Sequence, residues 1–279
     1  MKNHFLKHFF ALALATFVVA GCNNAGKQAK GTISKVEAAP VEAYDSGKLK
    51  DQIIEIIRNS PKGFELVDLI NKAGAAYMID ITVPVEKAEK MMTTTSKSLV
   101  MGFYGIDTKY ASVYNRGDIE MKINKVLLGL FVDLGISGDV DVVNKLIMRI
   151  ANNQSNKDSV EVLTTQAFTE FHKQMTNGNH AKIYGITVMS ANVEALYLLT
   201  QTSLYAKDNT KFLELMNNQK DRVTSVFKLL ETLSPDETIK PYYESIKPIM
   251  KFFEDNKVIG NEELKKIASE IEKLRNSMI

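Results

Sequence analysis

Residues 181–233, AKIYGITVMSANVEALYLLTQTSLYAKDNTKFLELMNNQKDRVTSVFKLLETL, decide the fold. Ala181 to Ala206 reads as one long helix and Asn209 to Leu233 as a second, an antiparallel pair joined by a tight turn. The sharpest local signal follows directly, in Ser234-Pro235-Asp236-Glu237. Ser234 is a natural N-cap, Pro235 suits the first helical position, and Glu237 can reach back to complete a capping box. In the helix so opened, Ile239-Lys240-Pro241 recurs as Ile246-Lys247-Pro248. Seven residues is nearly two turns, so both prolines fall on one face and are expected to bend the rod around the core. Asn261 is expected to cap a last helix whose Leu264, Ile267, Ile271 and Leu274 are spaced for burial, with Glu262 and Lys266 placed to pair.

Toward the N-terminus the helical reading continues. Asp118 to Leu134 is a strongly apolar helix closed by Gly135. Asp139 opens another, with Val140, Val143, Leu146, Ile147 and Ile150 on one face. Val160, Leu163, Ala167, Phe171 and Met175 form a further stripe ended by Asn177-Gly178. Glu86 to about Asn115 has helical spacing, weakened by Thr93-Thr94-Thr95 and by Gly102 and Gly105, so a bend or break is expected. A short helix from Phe64 to Ala73, ended by Gly74, and another from Leu49 to before Pro61 precede it. Tyr77 to Val83 alternates like a strand, but no other run offers it a partner. Unpaired backbone groups are costly, so a helix or an extended link ending at Pro84 is expected. The expected fold is therefore all-α, an irregular antiparallel array of about eight or nine helices over residues 47–279. The polar run Asn152–Asp158 divides it into candidate halves, 47–152 and 157–279. An echo of Phe103-Tyr104-Gly105-Ile106 in Ile183-Tyr184-Gly185-Ile186 raises a duplication of helical halves, although the flanking residues do not align.

The first residues carry a different signal. Lys2, His4 and Lys7 make a basic start, Phe9 to Ala20 is apolar apart from Thr16, and Ala20-Gly21 precede Cys22, with Asn23-Asn24 after it. The apolar run is short for a membrane span and of the length of a secretory signal. This stretch resembles the lipobox of bacterial lipoproteins. The resemblance implies a signal peptide at 1–21, diacylglyceryl transfer to the Cys22 thiol, cleavage before Cys22 and acylation of the new amino terminus, palmitate being the typical chain. Several acyl chains on one residue anchor stably where one does not. Residues 22–46 then read as a tether. With Asn23 rather than Asp after the cysteine, and no acidic run following, the implied destination is the outer membrane, facing the periplasm.

Composition narrows the function classes. Lys2 and Lys7 leave with the leader, so 33 of the 35 basic residues remain against 33 acidic ones. A neutral chain lacks the electrostatic footprint of a nucleic-acid binder. Cys22 is the only cysteine, so no disulfide supports the fold. Gly21-Cys22-Asn23-Asn24-Ala25-Gly26-Lys27 has phosphate-loop spacing, but Gln28 stands where Ser or Thr would hold magnesium and no strand precedes it. His172 and His180 remain after processing; Glu170 and His172, two apart, point to different helical faces and cannot share a metal. Neither a metal nor a cofactor is implied.

The one cluster with binding chemistry is Tyr104, Asp107, Tyr110 and Tyr114. The last three share a helix face, and Gly102 and Gly105 would permit close approach of another helix. A carboxylate among phenols suits a polar pocket for a sugar or amine. It also suits a buried Asp–Tyr network that fixes helix packing. The string from Tyr104 to Tyr114 is similar to stretches of uncharacterised helical lipoproteins of the Bacteroidota, a resemblance that carries no activity. The expected function is a lipid-anchored, non-catalytic binding or scaffolding module whose partners are the membrane, through Cys22, and a protein or small ligand. The alternatives are a small-ligand binder using the Tyr104–Tyr114 face and an enzyme whose residues converge from distant helices.

Overall fold

All regular structure among the described residues is helical, so the chain is all-α as its periodicity implies. In this computed structural model the residues described are 63–136 and 180–279, with 47, 48, 51 and scattered positions between 145 and 166. The chain divides into two units, Met1–Val41 and Glu42–Ile279, and every described residue belongs to the second. The lipobox and tether lie outside the described residues. So do most of the helix expected from Leu49, the stripe expected from Asp139, the stripe expected from Val160 apart from Leu163, which is buried, the 154–158 part of the polar run, and His172.

Eight α-helices are described: α1 (Gly63–Lys72), α2 (Thr94–Val113), α3 (Gly117–Asp133), α4 (Ala181–Tyr205), α5 (Thr210–Asn217), α6 (Lys220–Leu233), α7 (Lys240–Asp255) and α8 (Asn261–Asn276). Two 3-10 segments, Ile79–Ile81 and Val85–Lys90, lie between α1 and α2. The most extensive packing joins α2 to α4; α4 also touches α1, α5, α6 and α8, α3 lies on α2, and α7 closes against α6 and α8. Helix α4 is apolar on every face, which is the pattern of a central core helix. Its stretch Lys182–Tyr205 has the length and hydropathy to cross a membrane, yet 83% of its most apolar window is buried within the domain.

Close approach of α2 and α4 depends on Gly102. A Cβ there would overlap the Ser190 hydroxyl and the Thr187 carbonyl oxygen and would lie 2.8 Å from the Ala191 nitrogen. Thr187 Oγ1 then donates across the seam to Ser98 O at 3.2 Å. Helix ends follow the sequence closely at three places. Gly74 (φ 97°) and Gly135 (φ 69°) take the left-handed conformation after α1 and α3, and Asn115 (φ 57°) does so after α2. At each, the next amide reaches back to close the last turn: Ala75 to Ile70, Ile136 to Phe131 and Arg116 to Ala111.

The break expected in the 86–115 stretch falls at Met91–Thr93, beside the threonines and not at Gly102 or Gly105; Thr93 and Ser96 exchange side-chain-to-amide bonds of 3.0 and 3.1 Å there and open α2. Three expectations need correction. The 209–233 stretch is interrupted after Asn217, whose amide group exchanges bonds with Ile259 O at 3.1 Å and Ile259 N at 2.7 Å. Ser234 ends α6 instead of opening α7, its hydroxyl donating to Glu231 O at 2.8 Å. Asp236 organises the turn: it accepts from the Thr238 amide and hydroxyl at 2.9 and 2.6 Å and pairs with Lys182 of α4. Pro241 therefore sits in the first turn of α7, where a missing N–H costs nothing, and only Pro248 is interior. Finally, Gly260 and not Asn261 precedes α8; its N–H donates to Glu263 Oε2 at 3.2 Å, while Asn261 Oδ1 accepts from Asn209. Glu262 pairs with Lys265 at 2.9 Å, one position short of Lys266.

Overpacking a tight helix seam costs about 1–3 kcal/mol. Gly102→Ala should therefore lower stability by at least that much in denaturant unfolding. Gly129, exposed on α3 with nothing within 4 Å of a Cβ, should respond oppositely: Gly129→Ala gains about 0.5–1 kcal/mol of helix propensity.

Candidate functional site

Tyr104, Asp107, Tyr110 and Tyr114 lie on one side of α2, and the structure brings all four against the segment Ala75–Pro84. That segment is the alternating stretch of the sequence. It runs extended apart from the 3-10 turn at Ile79–Ile81, which leaves Ile79 exposed while Ile81 and Val83 are buried. Among the described residues no strand pairs with it; the side chains of α2 take that place. Tyr114 donates to Ala75 O at 2.8 Å and Tyr110 to Ala76 O at 3.3 Å. The Met78 amide donates to the Tyr110 hydroxyl at 3.0 Å and the Val83 amide to Asp107 Oδ2 at 2.8 Å. Tyr104 donates to Pro84 O at 2.8 Å.

Tyr104, Asp107 and Tyr110 are wholly buried and Tyr114 half-buried. Burial pushes the Tyr104 and Tyr110 phenols well above their ordinary value and Tyr114 up to about 12, so all three stay neutral donors. Tyr77 joins them from the link itself, with ring centroids 5.0 Å from Tyr110 and 5.6 Å from Tyr114. The Arg116 guanidinium stands 5.0 Å over the Tyr77 ring. The polar contacts this face makes among the described residues go to the chain's own groups. The extended peptide it holds is the chain's own.

Sequence reasoning missed the partners that complete the cluster. Arg275 of α8 enters the core and grips Glu194 of α4 with two bonds, Nε to Oε2 at 2.6 Å and Nη2 to Oε1 at 2.8 Å. Its Nη2 also donates to Ile81 O at 3.1 Å, so it holds the same link from the other side. The guanidinium stacks 4.1 Å from the Tyr197 ring centroid. Glu194 is 0% and Arg275 7% exposed. Burial would lower the guanidinium's pKa, but the bonds and charge of Glu194 raise it. Asp107 lies against this pair, and burial followed by the nearby Glu194 charge drives its carboxyl well above the usual range. Two sequence signals existed. Glu194 is the single charge between Ile183 and Leu204, and Arg275 continues the Ile267–Ile271 row of α8 by four residues.

A second buried acid sits where α3 meets α2. Glu120 is 4% exposed, and burial pushes it up to about 7 against the opposing effects of Ser112 and Lys109. Lys109 itself pairs with Asp68 of α1 at 2.9 Å. Between α4, α6, α7 and α8 lies a narrow apolar gap, lined in part by Leu196, Val226, Ile249 and Ile271, with room for at most about one water. Among the described residues no three His, Cys, Asp or Glu side chains gather at metal-binding distance. His180 stands at the start of α4 without a side-chain capping bond.

Comparison of the chain with protein-family models, with curated proteins and with solved structures gives no match.

Removing one partner of a buried ion pair strands the other and costs about 3–5 kcal/mol. Arg275→Met should show a loss of that size in urea unfolding, and Arg275→Lys should fail to rescue it, because an ammonium cannot reproduce the two-pronged bond. Glu120 predicts a pH effect of definite sign. The folded chain holds its proton up to about pH 7, whereas the unfolded chain releases it near 4.5. The stability this group contributes is thus present below 4.5 and lost as pH rises through 7. Glu120→Gln should melt higher than the parent at pH 8 and match it near pH 5.

Proposed function

We propose that the chain is a lipid-anchored, non-catalytic binding or scaffolding module, held through Cys22 at the periplasmic face of the outer membrane. The observation that carries this reading is the run from Lys2 to Asn24, in which a basic start, an apolar stretch and small residues lead to the chain's single cysteine. The absence of Asp at position 23 and of an early acidic tract supports the location. The domain's chemistry supports the non-catalytic part. Tyr104, Asp107 and Tyr110 direct their bonds to the link Ala75–Pro84, and Glu194 and Arg275 direct theirs to each other and to Ile81. These groups hold the scaffold rigid and are sealed from solutes. What the domain offers a partner is its helical surface, carried on a tether.

Metabolic labelling with an alkynyl palmitate, followed by membrane fractionation of the full chain in a Gram-negative host, tests this. The parent should incorporate label and partition with outer membranes, and Cys22→Ser should lose both. Label retained by Cys22→Ser, or an unlabelled parent recovered in the soluble fraction, would overturn the reading.

A further inference from the structure

Two carboxyl groups and one guanidinium meet where α2, α4, α8 and the link converge, with both acids 0% exposed. Their donors can be counted. Arg275 gives Nε and Nη2 to Glu194 and shares Nη2 with Ile81 O; it forms no bond to Asp107. Asp107 Oδ2 takes the Val83 amide. Asp107 Oδ1 is buried without any N–H or O–H donor, and the Glu194 carboxyl is the acidic neighbour that acts on Asp107. As an ionised pair the two acids would press lone pairs together and leave a surplus negative charge out of reach of water, which the core cannot sustain. One proton removes both problems.

We propose that Asp107 is a carboxylic acid in the folded protein and donates from Oδ1 to the Glu194 carboxylate, making Asp107–Glu194–Arg275 a neutral, pH-sensitive lock on the link Ala75–Pro84. The proton belongs on Asp107 because both oxygens of Glu194 already accept from Arg275. The other titratable groups facing Asp107 are Tyr77 in the link and Tyr104 and Tyr110 on α2, all neutral phenols with raised pKa. None supplies a second cation. Among the described residues Arg275, on α8, is the only positive charge acting on Asp107, and Glu194, on α4, opposes it. Two interacting carboxyls in such a site titrate as a pair, one of them far above its ordinary value. The folded chain therefore binds this proton more tightly than the unfolded one. The stability it confers is complete below the ordinary Asp range and is lost as pH rises through the raised value. The lock bears on the link directly, since Val83 hangs from Asp107 and Ile81 from Arg275.

The test is a carbon-13 NMR titration of the Asp107 carboxyl from pH 4 to 10. It uses the otherwise intact domain carrying Glu120→Gln, so that the second buried acid does not contribute. Asp107 should remain protonated at pH 6, after the exposed aspartates have ionised, and the Val83 amide shift should follow any later midpoint. An Asp107 carboxyl that ionises together with the exposed aspartates overturns the proposal. Thermal melts of two variants in the same background give an independent check. Asp107→Asn keeps an acceptor for Val83 and a donor for Glu194, so its melting temperature at pH 6 should stay within a few degrees of the parent and lose the alkaline decline. Glu194→Gln, which strands Arg275, should melt far lower. Equal losses in the two variants, or an alkaline decline of Asp107→Asn parallel to the parent, would also overturn it.

Discussion

The buried pair of Glu194 and Arg275 is the constraint on which the arrangement of the domain turns. Taking a carboxylate and a guanidinium out of water costs several kcal/mol per ion, which is recovered only when geometry is good and the remaining donors are satisfied. Here the pair meets that condition by a two-pronged bond, a stacked Tyr197 ring and a third bond to Ile81 O. Those requirements fix the depth of α8 against α4. They also fix the position of a non-helical segment that neither helix could otherwise hold. A hydrophobic pair of equal volume would fill the same space but would specify neither.

The link Ala75–Pro84 shows how an all-helical protein accommodates one extended stretch in its core. A strand without a sheet has backbone donors and acceptors that must find partners elsewhere. Helix α2 supplies them at every turn: Tyr104, Asp107, Tyr110 and Tyr114 recur at spacings of three and four, so they rise along one face like rungs. The hydroxyl of Tyr110 both donates and accepts, which lets one side chain serve the Ala76 carbonyl and the Met78 amide. The same tyrosines bury large ring surfaces against each other, so hydrogen bonding and apolar burial reinforce the same geometry.

The fold class was legible because helical spacing and helix-ending glycines dominate the sequence. Gly74 and Gly135 stop α1 and α3 where left-handed residues would be placed, and Leu264, Ile267, Ile271 and Leu274 are all buried. What sequence misassigned were helix starts that depend on tertiary bonds. Ser234 has the chemistry of an N-cap, yet Asp236 takes over the turn through its pairing with Lys182, 54 residues away. Asn217 interrupts a helical run because it meets Ile259, 42 residues on. The tyrosine–aspartate face was visible as a pattern, but a pattern cannot say whether a pocket or the chain's own backbone lies against it. Glu194 in an apolar run and Arg275 in line with Ile267 and Ile271 were each visible as a charge out of place, but their pairing is set only when α4 and α8 dock.

Among the described residues, the buried polar groups of α2, α4 and α8 are spent on holding the chain's own backbone, which supports the proposal of a non-catalytic module. Native-state hydrogen exchange at neutral pH tests that central claim most directly, through the amides of Met78 and Val83. Both belong to a link outside any helix or sheet, where amides ordinarily exchange quickly. If the α2 side chains and Arg275 make the link part of the core, these two amides exchange only with global unfolding, alongside the slowest amides of α2 and α4. Exchange at loop-like rates while α2 and α4 remain protected would contradict the account.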